Sequence, residues 1–217
     1  MRVLFIGNSY TYYNDMPEIF RLLSVENGIE VSVYSVTKGG RKLFENLDPC
    51  DENNERIRDI IKNGGCDVLF LQEQSHLPIS DYDAFENGAS AIKDLVKAKR
   101  TILYSTWGRK RGAYLLTELN LSSEEMTDKL GERYSDLAAK IGAEVSHVGT
   151  CFKFIAKKYP ELELYNPDLS HPSYLGSAVA AACHYYTLFA KKPLNFSHLS
   201  LTCEEIAAIK SALNSLK

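Results

Sequence analysis

Short runs of β-branched and apolar residues alternate with longer amphipathic stretches along most of this chain, and this alternation restricts the possible folds. The runs lie at residues 3–6, 31–36, 68–71, 102–104 and 144–148. None of them alternates strictly between polar and apolar residues, so they are predicted to be strands buried on both faces. The amphipathic stretches predict helices at residues 16–26, 53–62, 82–98, 123–141, 151–158, 174–190 and 203–216. Because parallel strands need crossovers, usually helical, the sequence predicts an α/β protein with a parallel sheet between two helical layers.

The composition favours one domain and excludes several classes of partner. No repeat or Pro/Gly/Ser-rich linker divides the 217 residues, so we expect a single domain over residues 1–217. A formal net charge of −3 argues against a nucleic-acid partner. No run reaches the ~18 apolar residues of a membrane helix, and no signal-like segment opens the chain. The five cysteines lack a C-x-x-C pair, which favours reduced thiols. We therefore expect a cytoplasmic protein without a membrane partner, unless a leader peptide was removed beforehand.

Polar and glycine-rich segments follow the first four predicted strands. These segments are Gly7-Asn8-Ser9, Thr37-Lys38-Gly39-Gly40-Arg41, Gln72-Glu73-Gln74-Ser75-His76 and Ser105-Thr106-Trp107-Gly108. In an open α/β sheet, ligands bind beyond the carboxyl ends of the strands. The sequence therefore predicts a functional site at this end of the sheet.

Ser9 has two interpretations, and a distant pair of residues bears on the choice. A small polar residue at a βα turn often caps the following helix, and alone this is the simpler interpretation. Asp168 and His171, however, stand three residues apart between Pro167 and Pro172, a spacing that lets both side chains project together. A histidine oriented by a carboxylate is the base that a serine nucleophile requires. Glycine backbone N–H groups at Gly39-Gly40 and the amide of Gln74 are suitable oxyanion donors.

The motifs in this order resemble a known family. A serine stands in F-I-G-N-S-Y-T at the end of the first strand, and a glycine stands in K-G-G after the second strand. An amide follows the third strand in L-F-L-Q-E-Q-S, and D-L-S-H-P lies near the C-terminus. This set resembles the SGNH hydrolases, also called GDSL-type esterases and lipases, over residues 9–171. Two motifs differ from the usual pattern, because Asn8 replaces the aspartate of G-D-S and Q-E-Q-S replaces G-x-N-D.

The resemblance implies a flavodoxin-like α/β/α sandwich of five strands in the order 2-1-3-4-5. It also implies a Ser9 nucleophile, a His171 base oriented by Asp168, and an oxyanion hole formed by Ser9, Gly40 and Gln74, with Gly39 as the alternative glycine.

The predicted function is that of a serine esterase that cleaves short acyl groups, such as acetyl on carbohydrate, without a cofactor or metal. Tyr10, Gly39, His76 and Trp107 are predicted to contact the substrate. Arg109-Lys110-Arg111 is interpreted either as a solvated loop or as an attractor of anionic substrates. The alternatives are a non-catalytic module that binds acylated sugar on the same scaffold, and a lipase- or thioesterase-type acylhydrolase. A phosphate or nucleotide site is disfavoured because the first loop lacks G-x-G-x-x-G and G-K-[ST].

Overall fold

Five strands form one parallel sheet in the computed structural model, which describes residues 1–193 and 195–216. The strands are β1 (Arg2–Gly7), β2 (Ser32–Thr37), β3 (Val68–Leu71), β4 (Arg100–Ser105) and β5 (Glu144–His147). They pair in the order β2-β1-β3-β4-β5. The predicted α/β/α class and the predicted strand order are therefore confirmed.

Helices cover both faces of this sheet. They are α1 (Ser9–Tyr12), α2 (Met16–Glu26), α3 (Glu52–Lys62), α4 (Leu77–Ser80), α5 (Tyr82–Val96), α6 (Tyr114–Glu118), α7 (Ser123–Ile141), α8 (Val148–Lys158), α9 (Tyr174–Phe189) and α10 (Cys203–Ser215). One hydrophobic core forms against α2, α8, α9 and α10, and the other against α3, α5 and α7. The seven helices predicted from the sequence are present, with ends that differ by at most three residues.

The central strands send alternate side chains into the two cores. Phe5 and Phe70 stack at 4.6 Å between ring centroids on one face, while the neighbouring Ile6 and Leu71 enter the core on the other face. This period of two is the pleat of a strand, and burial of both faces accounts for the continuous apolar runs.

The two edge strands differ from the prediction. β2 and β5 are not buried along both faces, and most of their residues are partly or fully exposed. Each has a neighbouring strand on one side only, whereas β1, β3 and β4 lie between two strands and are almost entirely buried. The expectation of burial on both faces was wrong for these two strands.

Helix starts follow the capping chemistry of the sequence. The Ser122 hydroxyl accepts the backbone N–H of Glu125, and the Glu125 carboxylate accepts the backbone N–H of Ser122. This reciprocal pair satisfies two N–H groups that would otherwise lack partners. It explains why α7 begins where the sequence predicts.

Candidate active site

In the loop after β1, the residue that caps the following helix is not the serine. The Asn8 side chain accepts the backbone N–H of Tyr10 at 3.1 Å, so Asn8 is the residue that caps α1. Ser9 follows as the first residue of the helix and is 8% exposed. Its hydroxyl is therefore not required for capping and is available for another contact.

Gln72 holds this loop from the end of the adjacent strand β3. Its Oε1 accepts the backbone N–H of Asn8 at 2.8 Å and the hydroxyl of Thr11 at 2.9 Å. A Cβ atom at Gly7 would lie 2.6 Å from the same Oε1, so a glycine is needed where the Gln72 side chain crosses. The position of Ser9 thus depends on contacts between two neighbouring strand ends.

The segment from Asp168 to His171 forms a tight turn. Leu169 has a left-handed backbone (φ 62°), a conformation that non-glycine residues adopt rarely. The Asp168 Oδ1 atom accepts the backbone N–H groups of Ser170 at 3.0 Å and His171 at 2.9 Å. These bonds close the turn and direct the other carboxylate oxygen toward the His171 ring.

Ser9, His171 and Asp168 form a continuous chain of hydrogen bonds. His171 Nδ1 lies 2.5 Å from Asp168 Oδ2, and His171 Nε2 lies 2.8 Å from Ser9 Oγ. Burial opposes ionisation of Asp168, but hydrogen bonds from the His171 ring and from two backbone N–H groups outweigh it and lower its pKa. An ionised Asp168 accepts the proton of Nδ1, which leaves Nε2 to accept the Ser9 hydroxyl. This is the arrangement needed to remove a proton from a serine.

Two tyrosines and an asparagine hold the His171 ring in place. The Tyr13 ring stacks on the imidazole at 4.3 Å with an interplanar angle of 9°. Tyr10 meets the imidazole edge-on at 5.5 Å. Asn14, between α1 and α2, donates to the carbonyl of Pro172 at 3.1 Å and so joins this turn to the histidine segment. The imidazole therefore has little rotational freedom.

A cleft of about 310 Å³ opens above Ser9. Its walls include Tyr10, Tyr12, Tyr13, Gly39, Gly40, Gln74, Ser75, Arg109, Ser170 and His171. Gly40 has φ 68°, and a Cβ atom there would have no neighbour within 4 Å. Within the described part of the chain, no acceptor bonds the backbone N–H of Ser9, Gly39 or Gly40. These groups are available to a bound molecule.

Gln74 reaches the same cleft with its side-chain amide held at both ends. Its Oε1 accepts the backbone N–H of Leu77 at 3.2 Å, and its Nε2 lies 3.2 Å from His76 Nδ1. Burial, followed by the charge of Arg109, lowers the pKa of His76, so the neutral ring can accept from the amide. Since an amide nitrogen carries two hydrogens, one remains for a ligand.

Two residues that were expected to contact substrate lie elsewhere. Trp107 is fully buried beneath the cleft, stacked against Tyr10 at 4.8 Å and Phe152 at 4.0 Å, and its Nε1 donates to the carbonyl of Ser170. The expectation for Trp107 was wrong because the indole fills the core under the site. His76 does not line the cleft either, and it contacts Gln74 instead. Tyr10 and Gly39 do line the cleft.

Sequence reasoning missed several supporting residues. Gln72 directly follows a buried apolar run, and a polar side chain buried at such a position needs a hydrogen-bond partner from another part of the chain. Tyr13 lies four residues after Ser9, a spacing typical of one helix face. The hydroxyl groups of Ser170 and Tyr10 form a hydrogen bond at 2.9 Å. No local pattern in the sequence distinguishes Ser170 from any other loop serine.

Residues 1–193 and 195–216 contain neither a metal-binding cluster nor a membrane-spanning helix. No group of three or more His, Cys, Asp and Glu side chains is arranged to hold a metal ion. None of the helices in these ranges has the length and apolar character needed to cross a membrane.

Comparison with solved structures places the fold among known hydrolases. A protein from Slackia heliotrinireducens, described as an SGNH hydrolase, is 30% identical to this chain with a TM-score of 0.74, and the match covers 87% of this chain and 98% of that one. A DUF4886 family protein from Bacteroides uniformis is 15% identical with a TM-score of 0.82, covering 98% and 93%.

Another solved structure, with a lower TM-score, is described as an esterase. An acetyl-xylooligosaccharide esterase from Geobacillus is 15% identical with a TM-score of 0.60, and the match covers 86% of this chain and 93% of that one. At this identity the likeness concerns the fold alone. No family model matches the chain, and no curated protein matches it.

Proposed function

Since this chain belongs to the SGNH hydrolases, we propose that it is a serine esterase that transfers the acyl group of a carboxylic ester to water. The observation that carries this proposal is the hydrogen-bond chain from Ser9 Oγ through His171 to Asp168, at 2.8 and 2.5 Å. A serine hydroxyl is a weak nucleophile until a base removes its proton, and this chain supplies the base.

In the first step, Ser9 Oγ attacks the ester carbonyl while His171 Nε2 takes the hydroxyl proton. Asp168 stabilises the imidazolium that forms and holds its orientation. The imidazolium then donates the proton to the departing alcohol, and an acyl-Ser9 ester remains. Water, activated by His171 in the same way, releases the acid and restores Ser9.

The oxyanion of each tetrahedral intermediate is assigned to three donors. They are the backbone N–H groups of Ser9 and Gly40 and the Nε2 of Gln74, all of which line the cleft. Each such donor contributes about 3–4 kcal/mol of transition-state stabilisation in comparable enzymes. The support for this assignment is that the backbone donors have no acceptor among the described residues and that the Gln74 amide is held in place.

We assign short acyl groups, such as acetyl carried on carbohydrate, as the substrate class. A cleft of about 310 Å³ is at the small end of ligand sites, which favours a short acyl group. Tyr12 is 41% exposed and lines this cleft beside Tyr13, and exposed aromatic faces suit sugar rings. The esterase from Geobacillus with this fold acts on an acetylated xylooligosaccharide, according to its description.

Hydrolysis of p-nitrophenyl acetate, butyrate and octanoate tests the proposal. We expect turnover that is highest with acetate and that falls at least about 1,000-fold in Ser9→Ala and in His171→Ala. A fluorophosphonate probe should label the wild type and not Ser9→Ala. Ser200→Ala, an exposed serine outside the cleft, is the matched control and should behave as wild type. Equal rates in wild type and both variants, with no labelling, would contradict the proposal and favour a binding module.

A further inference from the structure

Arg109 lies in the wall of the catalytic cleft, on the loop after β4. One terminal nitrogen of its guanidinium donates to Ser75 Oγ at 2.7 Å, and the group lies 5.5 Å from the centre of the Tyr10 ring. Tyr10 in turn meets the His171 imidazole at 5.5 Å. The cation is thus one aromatic ring away from the catalytic base.

The charge of Arg109 has no counter-ion within the described residues. No carboxylate pairs with it, whereas Arg41, Arg100 and Lys110 pair with Asp51, Glu144 and Glu163. The Arg109 Nε atom is buried and bonds no acceptor in the same part of the chain. A buried polar group without a partner is uncommon in folded proteins and calls for an explanation.

The other residues lining the cleft do not neutralise this charge. Apart from His171, which is hydrogen-bonded to Asp168, the cleft walls are formed by tyrosine, serine, glycine and amide side chains. The charge of Arg109 also contributes, after burial, to the lowered pKa of His76. Among the residues that line the cleft, the positive charge of Arg109 is therefore not offset by a direct ion pair.

We propose that Arg109 binds a carboxylate of the substrate, so that the preferred substrates are esters with a carboxylate group near the scissile bond. This inference rests on the proposed esterase function and narrows its substrate class. A guanidinium presents parallel N–H donors that match the two oxygens of a carboxylate. The carboxylate can belong to the acyl group, as in a dicarboxylic hemiester, or to the alcohol, as in an acetylated acidic sugar.

A monoanion fits this site better than a doubly charged phosphate. The neighbouring Lys110 is paired with Glu163, and Lys110 and Arg111 line a separate groove of about 1240 Å³. Arg109 alone therefore supplies one positive charge to the catalytic cleft, which is the charge that a single carboxylate balances.

Two matched pairs of esters test this inference and distinguish the two sources of the carboxylate. The acyl-side pair is p-nitrophenyl hemiglutarate and p-nitrophenyl pentanoate, with the spontaneous hydrolysis rates subtracted. The alcohol-side pair is p-acetoxybenzoate and p-acetoxybenzamide. For wild type, we expect a higher kcat/KM for the charged member of at least one pair, with the difference mainly in KM.

Substitution of Arg109 should change the ratio of charged to neutral kcat/KM. Arg109→Gln should lower this ratio by roughly tenfold or more, because charge-assisted hydrogen bonds are strong. Arg109→Lys should retain part of the ratio, because lysine keeps the charge but lacks the parallel N–H donors of the guanidinium. Arg111→Gln, which removes a nearby charge outside the cleft, should leave the ratio at the wild-type value. A purely structural role for Arg109 would lower both members of each pair equally.

An unchanged ratio in a folded Arg109→Gln protein would overturn the inference and leave the esterase proposal intact. Failure of wild type to hydrolyse any of the four esters would instead contradict the esterase proposal itself. If Arg109→Gln does not fold, inhibition of wild-type p-nitrophenyl acetate hydrolysis by benzoate and benzamide decides the question. Tighter competitive inhibition by benzoate supports a carboxylate site, and equal inhibition overturns it.

Discussion

Glu73 precedes Gln74 on the loop after β3, and its carboxyl group is fully buried. It accepts the backbone N–H of Gln74 at 2.6 Å and the backbone N–H of Leu43 at 3.1 Å. Burial nevertheless dominates these bonds and raises its pKa to about 8, with Glu45 adding to the rise and Lys42 opposing it. Glu73 therefore joins the loop after β2 to the loop after β3 as a neutral acid at mildly acidic pH.

This raised pKa predicts a pH-dependent stability. Above the ordinary glutamate pKa of 4.5 the unfolded chain releases this proton, but the folded protein retains it until about pH 8. The folded state thus binds the extra proton in this interval, and the free energy of unfolding falls as the pH rises through it. Urea unfolding of wild type at pH 5 and pH 8 should show a Glu73 contribution on the order of 3 kcal/mol.

Glu73→Gln should remove this contribution, so that its unfolding free energy changes less between the two pH values than that of wild type. Glu55→Gln, at an exposed position of α3, is the matched control and should follow wild type. Identical pH dependence in Glu73→Gln and wild type would mean that the Glu73 carboxyl is ionised in the folded protein.

At the scale of elements, the nucleophile loop is fixed from outside its own strand. β1 and β3 are paired up to Ile6 and Leu71, and Gln72 then reaches across to Asn8 and Thr11. Both hydrogen bonds to Gln72 Oε1 are buried, so removal of this amide would take away the acceptor of the Asn8 backbone N–H and of the Thr11 hydroxyl. The position of Ser9 therefore depends on the register between β1 and β3.

Gln72→Ala should lower the free energy of unfolding by roughly 1–3 kcal/mol, because it leaves a buried N–H and a buried hydroxyl without an acceptor. It should also lower kcat for p-nitrophenyl acetate, since the loop loses its support. Thr11→Val removes one donor without leaving the Asn8 N–H unpaired, and its destabilisation should be smaller. Denaturant unfolding and steady-state kinetics measure both effects, and a Gln72→Ala protein as stable as wild type would contradict this account.

At the scale of the whole molecule, both hydrophobic cores are built on the same three central strands, β1, β3 and β4. Leu4 and Leu103 belong to one core, while Val3 and Ile102 belong to the other. A loss of strand pairing would expose both cores at once. We therefore expect residues 1–217 to unfold as one cooperative unit.

Trp107 offers a direct measurement of this cooperativity. It is the one tryptophan of the chain, is fully buried, and stacks between Tyr10 and Phe152. Its fluorescence and the far-UV circular dichroism should give the same urea midpoint, because the indole and the helices lose structure together. Separate midpoints would indicate two units that unfold independently.

Much of the fold follows from local patterns. Continuous apolar runs predict the central strands, and the Ser122 cap with its acidic first turn predicts the start of α7. The Asp168–His171 spacing predicts that the two side chains project together, and in the structure Asp168 Oδ2 contacts His171 Nδ1. These features depend on neighbours within a few residues, so the sequence records them directly.

Contacts between residues that are distant in sequence do not follow from local patterns. Ser9 and His171 are separated by 162 positions, and their 2.8 Å contact exists only because the sheet order brings two loops together. Whether Trp107 lines the cleft or supports it, and whether Arg109 has a counter-ion, depends on packing between elements that are distant in sequence. Hydrophobic periodicity and capping, which are local, therefore determined the elements from sequence alone. Tertiary structure alone decided the burial, pairing and charge balance of each side chain at the site, because those properties arise from neighbours that no local pattern encodes.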